Sequence, residues 1–462
     1  MECDVLVLGG GPAGYTAAIR AAQLGGRVVC VEREPALGGT CLRVGCIPTK
    51  AWVQTAHALH AGTELNATFG VETSGVRLDF PRAAAFKDEV VTQMTGGIKM
   101  LFKANGVEWV NGHGRFTGPT TLQVDGGETI TFRSAIVATG SYPVRPPIPG
   151  LDGPRCVDST GLLALTEVPR RLAVLGGGII GCEFASIFQR FGSEVSIVEM
   201  LPSLIAQEDA DAGKELEKAF KRRGIALHLG SRCSSVEDTG TAVVATLESG
   251  ERIEADLILV AVGRAPVVQE LGLEAIGVTG DPRSGIATDD RMRTSAANVY
   301  ACGDVAGRWQ LAHTAFREGE IAAENAMGHA SSLGEPAVPR PIYTDPEIAA
   351  VGLTEQQARN RYGDGIAVGR FPWAANARAV MTGETTGWVK SIHETAYGEL
   401  VGLVIVGPHA TDLIEAGVVA IDAESTVETV ADGIAPHPTL SEAIKEAGLV
   451  ALGRPIHIAR KR

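Results

Sequence analysis

One local pattern occurs twice, and it constrains the fold more than any other feature. Cys3 to Leu8 is a short apolar run suited to a buried parallel strand. Gly9, Gly11 and Gly14 follow in the spacing Gly-x-Gly-x-x-Gly, and the Ala-rich segment Tyr15 to Leu24 reads as a helix. Arg27 to Glu32 is a second strand that ends on an acid. The same order returns 167 residues later: a strand from Arg171 to Leu175, then Gly176-x-Gly178-Ile179-Ile180-Gly181. A helix from about Cys182 to Phe191 and a strand from Glu194 to Glu199 complete the copy. Solenoid repeats recur every ~20–50 residues, so a repeat this distant means two similar domains.

The three glycines of such a loop allow a tight turn, close approach of a pyrophosphate, and close packing of helix on strand. The helix N-terminus then offers free N–H groups to the phosphates. A carboxylate about 20 residues on, here Glu32 and Glu199, can accept from ribose hydroxyls. Glycines that only turn a loop are the plain alternative. The strand, the helix and the acid, all in place in both copies, argue against it. Glu199 would repel a 2′-phosphate and is followed by Met200, not a base, so the second site is expected to prefer NAD over NADP.

The rest of the chain is read around these units. At about 100–200 residues per domain, 462 residues make about three domains. Glycine accounts for 57 of them, well above a usual level of about 7%, with no collagen period. The Pro-rich stretch Tyr142 to Pro149 reads as the crossover into the second domain, and Val260 to Arg264 as the strand leading out. Asn298 to Ala301 is another apolar strand, ending in Gly303-Asp304 after Cys302. Pro336 to Pro341 opens a last domain, with strands around Gly387 to Ile392 and Leu400 to Val406. The net charge of −13 disfavours nucleic acid as a partner. No apolar run approaches the ~18 residues of a membrane helix. The acidic start Met1-Glu2-Cys3-Asp4 does not read as a targeting segment, so a cytoplasmic location is expected.

Eight cysteines are too thinly spread for a disulfide scaffold, but Cys41 and Cys46 form a close pair. Such a pair can be structural, metal-binding or redox-active. No second pair or Cys/His cluster lies nearby, so zinc is poorly supported and no metal site is expected. Pro48 suits the first turn of a helix beginning beside Cys46, and that positive end would favour thiolate. This context favours a redox pair over two inert core thiols. Near the C-terminus, His437 and Glu442 are five residues apart across a Pro turn and a helix start. A histidine held by a carboxylate is a competent base near neutral pH. A histidine in a turn is more often only a surface residue.

These residues resemble the pyridine nucleotide–disulfide oxidoreductases of class I, and within them the branch that oxidises dihydrolipoamide. The likeness runs through Gly38 to Lys50, Ala138 to Ser141, Gly303-Asp304, Tyr343 to Ala349, Asn376 to Ala379 and His437 to Glu442. The resemblance implies an α/β fold with two Rossmann-like domains, for FAD and NAD, and a C-terminal α+β dimerisation domain. The implied boundaries are 1–142 for FAD, 143–268 for NAD, 269–341 for a central segment completing the FAD domain, and 342–462 for the interface. It implies that Glu32, Gly39, Thr40, Lys50, Gly114, Thr139, Gly140, Ser141 and Asp304 line the FAD site, with Gln310, Leu311, Ala312 and His313 closing it. On the NAD side it implies Gly176 to Glu183, including Ile180, with Glu199, Val236 and Gly263. Lys50 and Glu183 would pair near the reacting rings.

The implied activity is oxidation of dihydrolipoamide through the Cys41–Cys46 disulfide with reduction of NAD+. His437 would be the base, Glu442 its support, and both would come from the other subunit of a homodimer. The implied partners are lipoyl domains of 2-oxoacid dehydrogenase or glycine cleavage complexes. The rival reading is a related NAD(P)H-dependent flavoprotein reductase of another disulfide, a quinone or a metal.

Overall fold

A computed structural model of the protein describes residues 1–460. Both repeats fold as βαβ units. In the first, strand Glu2–Leu8 pairs in parallel with Val28–Glu32 and with Thr129–Val137. Strand Glu108–Asn111 extends the sheet beyond Val28–Glu32, and Val299–Ala301 adds in parallel beside Thr129–Val137. Residues near 300 thus return to the sheet that residue 2 begins. The helix Pro12–Gln23 starts earlier than its apolar pattern suggests, because Gly11 caps it and Pro12 occupies its first turn. Its stripe Ala13, Ala17, Ala18 and Ala21 is fully covered, partly by the helix Ala312–Ala326. These small residues let the two helices approach closely: a Cβ on Gly319 would stand 2.3 Å from the Ala13 carbonyl oxygen. Arg20 and Glu324 close the same contact at 2.6 Å.

The second repeat builds a parallel sheet in the order Ala226–Leu229, Glu194–Glu199, Arg171–Leu175, Leu257–Val260, Cys156–Val157. An antiparallel sheet of Cys233–Asp238, Val243–Leu247 and Arg252–Ala255 covers one face. Its helix runs Ile179–Arg190, again starting at the glycine loop. The chain enters and leaves this unit through strands Ser141–Pro143 and Arg264–Pro266, which pair with each other. The last unit is a five-stranded antiparallel sheet with strand Leu400–Val406 at its centre and the helix Glu442–Ala451 packed on it. The fold is therefore mixed α/β with two dinucleotide-type domains and a C-terminal α+β domain. No helix among the described residues is long and apolar enough to cross a membrane.

A buried ion cluster ties the second unit to the last. Lys390 is 3% exposed, and its Nζ lies 2.9 Å from Asp209, 2.8 Å from Asp211 and 3.0 Å from Glu355. Burial of the lysine is offset by these carboxylates, which hold its pKa above the usual value. Removing one member of such a cluster leaves buried charge uncompensated. Lys390→Met is expected to cost about 3–5 kcal/mol of stability, read as a lower denaturant midpoint. An unchanged midpoint would show that the cluster is not holding the domains together.

Candidate redox and dinucleotide site

The glycine loops explain their own composition. Gly9 and Gly176 turn with φ of 106° and 112°. A Cβ on Gly14 would fall 1.8 Å from the Gly9 carbonyl oxygen, and one on Gly181 would fall 2.0 Å from that of Gly176. Gly14 and Gly181 therefore seat helix on strand and stay behind the cleft surface. Each terminal acid folds back onto its loop. Glu32 Oε2 accepts from Gly10 N–H at 2.7 Å, and Glu199 Oε2 accepts from Gly177 N–H at 2.6 Å. Both acids remain on the wall of one large cleft.

That cleft, about 2010 Å³, runs between the two domains and exceeds the ~300–1,000 Å³ of a usual small-ligand pocket. It gathers Gly9, Gly11, Glu32, Gly39, Thr40, Cys41, Cys46, Lys50 and Gly114 from the first domain. Thr139, Gly140, Ser141, Asp304 and Gln310 to His313 join them, with Gly176, Gly178, Ile180, Glu183, Glu199 and Gly263 from the second repeat side. The cleft walls fit dinucleotides on a direct criterion. At Gly140, Gly178 and Gly263 an added Cβ would meet nothing within 4 Å, so bare backbone faces the cleft. Gly39 lies so close to Gly11 that a Cβ would sit 2.6 Å from its Cα. Besides Gly14 and Gly181, one further expected residue is off the cleft wall. Val236 is buried in the core of the second unit, its N–H bonded to Pro149 O at 2.8 Å. The cleft wall there is made by Ser231, Arg232 and Cys233, three to five residues earlier. The bend into the antiparallel sheet turns those residues outward.

The two cysteines stand together where the helices Gly39–Val44 and Cys46–His60 meet. Cys46 begins the second helix, with Pro48 in its first turn. Cys41 is buried and Cys46 faces the cleft. Donation from the Cys41 thiol holds Cys46 below the usual thiol range; burial opposes this and the Lys50 ammonium assists. Cys41 is driven upward, first by that same hydrogen bond and then by burial. Lys50 is one helical turn past Cys46, and its Nζ lies 2.8 Å from Glu183 Oε2. Burial weakens the Lys50 charge, while Glu183 and Cys46 restore it and hold its pKa above the usual value. Glu183 is also fixed by the Tyr343 N–H at 2.9 Å, and the Tyr343 ring lies 4.6 Å beneath the ammonium. Lys50→Met is expected to move the Cys46 titration up toward the ordinary thiol value of 9.0, because it removes a cation that favours thiolate. Thiolate absorbance against pH on reduced protein checks this; an unmoved titration would contradict it.

Beside the cysteines, Ser141 donates to Asp304, and Arg264 donates from Nε to Ser141 Oγ at 2.8 Å. Burial pushes the Asp304 carboxyl up, with Ser141 and Arg264 pulling it back. Behind Asp304 lies Glu318, fully buried. Its Oε2 accepts from Gly303 N–H at 2.7 Å and its Oε1 has no partner among the described residues. Burial raises it to about 7. Tyr343 belongs to a stretch that carries the family likeness, but no sequence motif marks Arg264 or Glu318. Pairing of the crossover strands brings Arg264 here, the fold of the last domain brings Tyr343, and the helix Ala312–Ala326 carries Glu318 beneath Gly303.

His437 and Glu442 form the expected pair, with Nδ1 to Oε1 at 2.9 Å. Glu442 opens the helix Glu442–Ala451, and its Oε2 accepts from Thr439 N–H at 2.8 Å. Burial works against its charge, but the Thr439 N–H and His437 hold its carboxyl below the usual range. The pair stands apart from the cleft of its own chain: the His437 side chain is 72% exposed, and neither residue lines the cleft.

Residues 3–319 match the profile of the family described as pyridine nucleotide-disulphide oxidoreductase, and residues 338–448 match that family's dimerisation domain. The chain is 40% identical to a dihydrolipoyl dehydrogenase of Bacillus subtilis over 459 residues, 98% of this chain and 99% of that one. It is 40% identical over 466 residues to a mitochondrial dihydrolipoyl dehydrogenase of Pisum sativum, 99% of this chain and 93% of that one. It also superposes on a Cu(II) complex of the HOCl-induced flavoprotein disulfide reductase RclA of Escherichia coli. There the TM-score is 0.89 at 30% identity, covering 97% of this chain and 99% of that one. With this likeness along nearly its whole length, the chain belongs to the pyridine nucleotide-disulphide oxidoreductases.

Proposed function

We propose that this oxidoreductase converts dihydrolipoamide to lipoamide while reducing NAD+, with FAD held in the first domain. The observation that carries the reading is the cysteine pair in the cleft between the two dinucleotide-type domains, its outer thiolate favoured and matched by Lys50–Glu183. Glu32, Gly39, Thr40, Ser141 and Asp304 would hold FAD, and Gly176 to Glu183 with Glu199 would hold NAD+. A flavin held there supplies two-electron redox chemistry, linking the dithiol–disulfide couple to hydride transfer on NAD+.

The chain's own residues carry the thiol chemistry. In the oxidised protein Cys41 and Cys46 form a disulfide. His437 of a second copy takes a proton from one substrate thiol, and the resulting thiolate attacks Cys41 Sγ. The Cys41–Cys46 bond breaks, and Cys46 leaves as a thiolate held by the Lys50 charge. The second substrate thiol, deprotonated in turn, attacks the mixed disulfide and departs as lipoamide. Cys41 and Cys46 are left reduced by two electrons. Glu442 keeps the His437 ring oriented and stabilises its charged form. The exposure of His437, and its place inside the dimerisation match, support a homodimer in which each copy completes the other's site. Lipoyl domains of 2-oxoacid dehydrogenase or glycine cleavage complexes are the proposed substrate carriers, and the cytoplasm the proposed location.

The likeness to the E. coli disulfide reductase supports one rival, reduction of another disulfide, a quinone or a metal. Steady-state NAD+ reduction by dihydrolipoamide, run beside NADH oxidation by those acceptors, separates the two readings. Fast turnover in the first assay supports the proposal. NADH oxidation by another acceptor, with dihydrolipoamide inert, would replace it with the rival.

A further inference from the structure

We infer that Arg232 is a specificity-determining residue, binding the 2′-phosphate of NADP in the second cleft against the preference set by Glu199. The inference rests on the dinucleotide reading of that cleft and not on the identity of the dithiol.

The segment carrying Arg232 is fastened to the end of the strand that carries Glu199. Ser231 N–H donates to the Glu199 carbonyl at 2.9 Å, and Gly230 N–H donates to the Leu201 carbonyl at 2.9 Å. Glu248 N–H fixes the Arg232 carbonyl at 2.9 Å from the other side. Arg232 and Glu199 therefore border the same end of the cleft, where the acid would receive the adenosine ribose. This proximity is invisible in sequence, where the residue after Glu199 is Met200 and the arginine lies on the next strand connection.

The charges around the two residues are unequal. Glu199 is buried, and backbone donors take both its oxygens: Gly177 N–H at 2.6 Å and Leu201 N–H at 2.7 Å. Those donors spread its negative charge and soften its repulsion of a phosphate. Arg232 lines the cleft and enters no ion pair among the described residues. Glu237, on the strand that follows it, is engaged with Arg252 at 3.3 Å, and Glu251 lies 3.2 Å from His228. Glu248 and Glu208 also line the cleft, and Glu208 is taken by Arg340 at 3.0 Å. A guanidinium pairs with phosphate through two parallel N–H donors, a geometry a ribose hydroxyl cannot use fully. Arg232 thus discriminates by what the ligand carries at the 2′ position.

The test is calorimetric binding of 2′-phospho-ADP-ribose and of ADP-ribose to the FAD-loaded protein. Arg232→Ala is expected to weaken the 2′-phosphorylated ligand about tenfold and ADP-ribose less than about twofold. Arg232→Lys should recover part of the loss, since a point charge remains. The NADP+/NAD+ ratio in turnover should fall by a similar factor. An equal effect on both ligands would reveal stacking on adenine or a structural role, and no effect on either would show an idle side chain. Each of those results overturns the inference. Failure of the protein to oxidise dihydrolipoamide would sink the proposed substrate, while the binding ratio would still decide the role of Arg232.

Discussion

Cys41→Ser is expected to abolish oxidation of dihydrolipoamide while the protein stays folded and keeps its flavin. Cys41 carries the sulfur that a substrate thiolate must attack, and a hydroxyl in its place cannot form or exchange a disulfide. The loss should reach about a thousandfold or more, as for other removed nucleophiles. The substitution changes one buried atom, and the walls proposed to hold FAD are backbone and side chains of Glu32, Gly39, Ser141 and Asp304. Flavin absorbance therefore reports binding independently of turnover. Turnover within about tenfold of the parent protein would remove Cys41 from the mechanism.

The second large effect concerns His437, which stands exposed and apart from its own cleft. His437→Gln is expected to slow the dithiol half-reaction by about 10²–10⁴-fold, the usual worth of a positioned base. Exchange between flavin and NADH, which needs no such base, should change little. Rapid mixing of each half-reaction separates the two, and equal loss in both would refute the role. The geometry makes a sharper expectation. Dissociated and reassociated together, the inactive Cys41→Ser and His437→Gln proteins should regain roughly a quarter of parental activity. About half the dimers are mixed, and one of their two sites joins an intact cysteine pair to an intact histidine. A site confined to one chain would show no recovery.

Much of this is legible in the sequence because it is local. The two Gly-x-Gly-x-x-Gly loops fix their strands, helices and acids within about thirty residues, and Cys41, Cys46 and Pro48 define a helix start. Sequence and structure part where local pattern gives no signal. Both loop helices begin at the glycine turn, three residues before the apolar pattern marks them, since Pro12 and Ile179 sit in a first turn that faces the cleft. The long helix Phe80–Asn105 carries mixed polar and apolar residues and no motif that would announce it. Resemblance assigns Val236 to the NAD site, but the strand bend puts Ser231 to Cys233 there instead. Arg264 and Arg232 reach the cleft only through pairings between segments far apart in the chain. Long-range register decides those positions, and nothing near them in sequence signals it.

Dihydrolipoamide is expected to deliver its electrons to the Cys41–Cys46 disulfide. The direct measurement is anaerobic addition of one equivalent of dihydrolipoamide to the oxidised holoprotein, followed by alkylation and peptide mass analysis. New label is expected on Cys41 and Cys46 together, absent before substrate, with the other six cysteines unchanged. Complete oxidation of the dithiol with no new label on that pair, or label gained elsewhere, would contradict it.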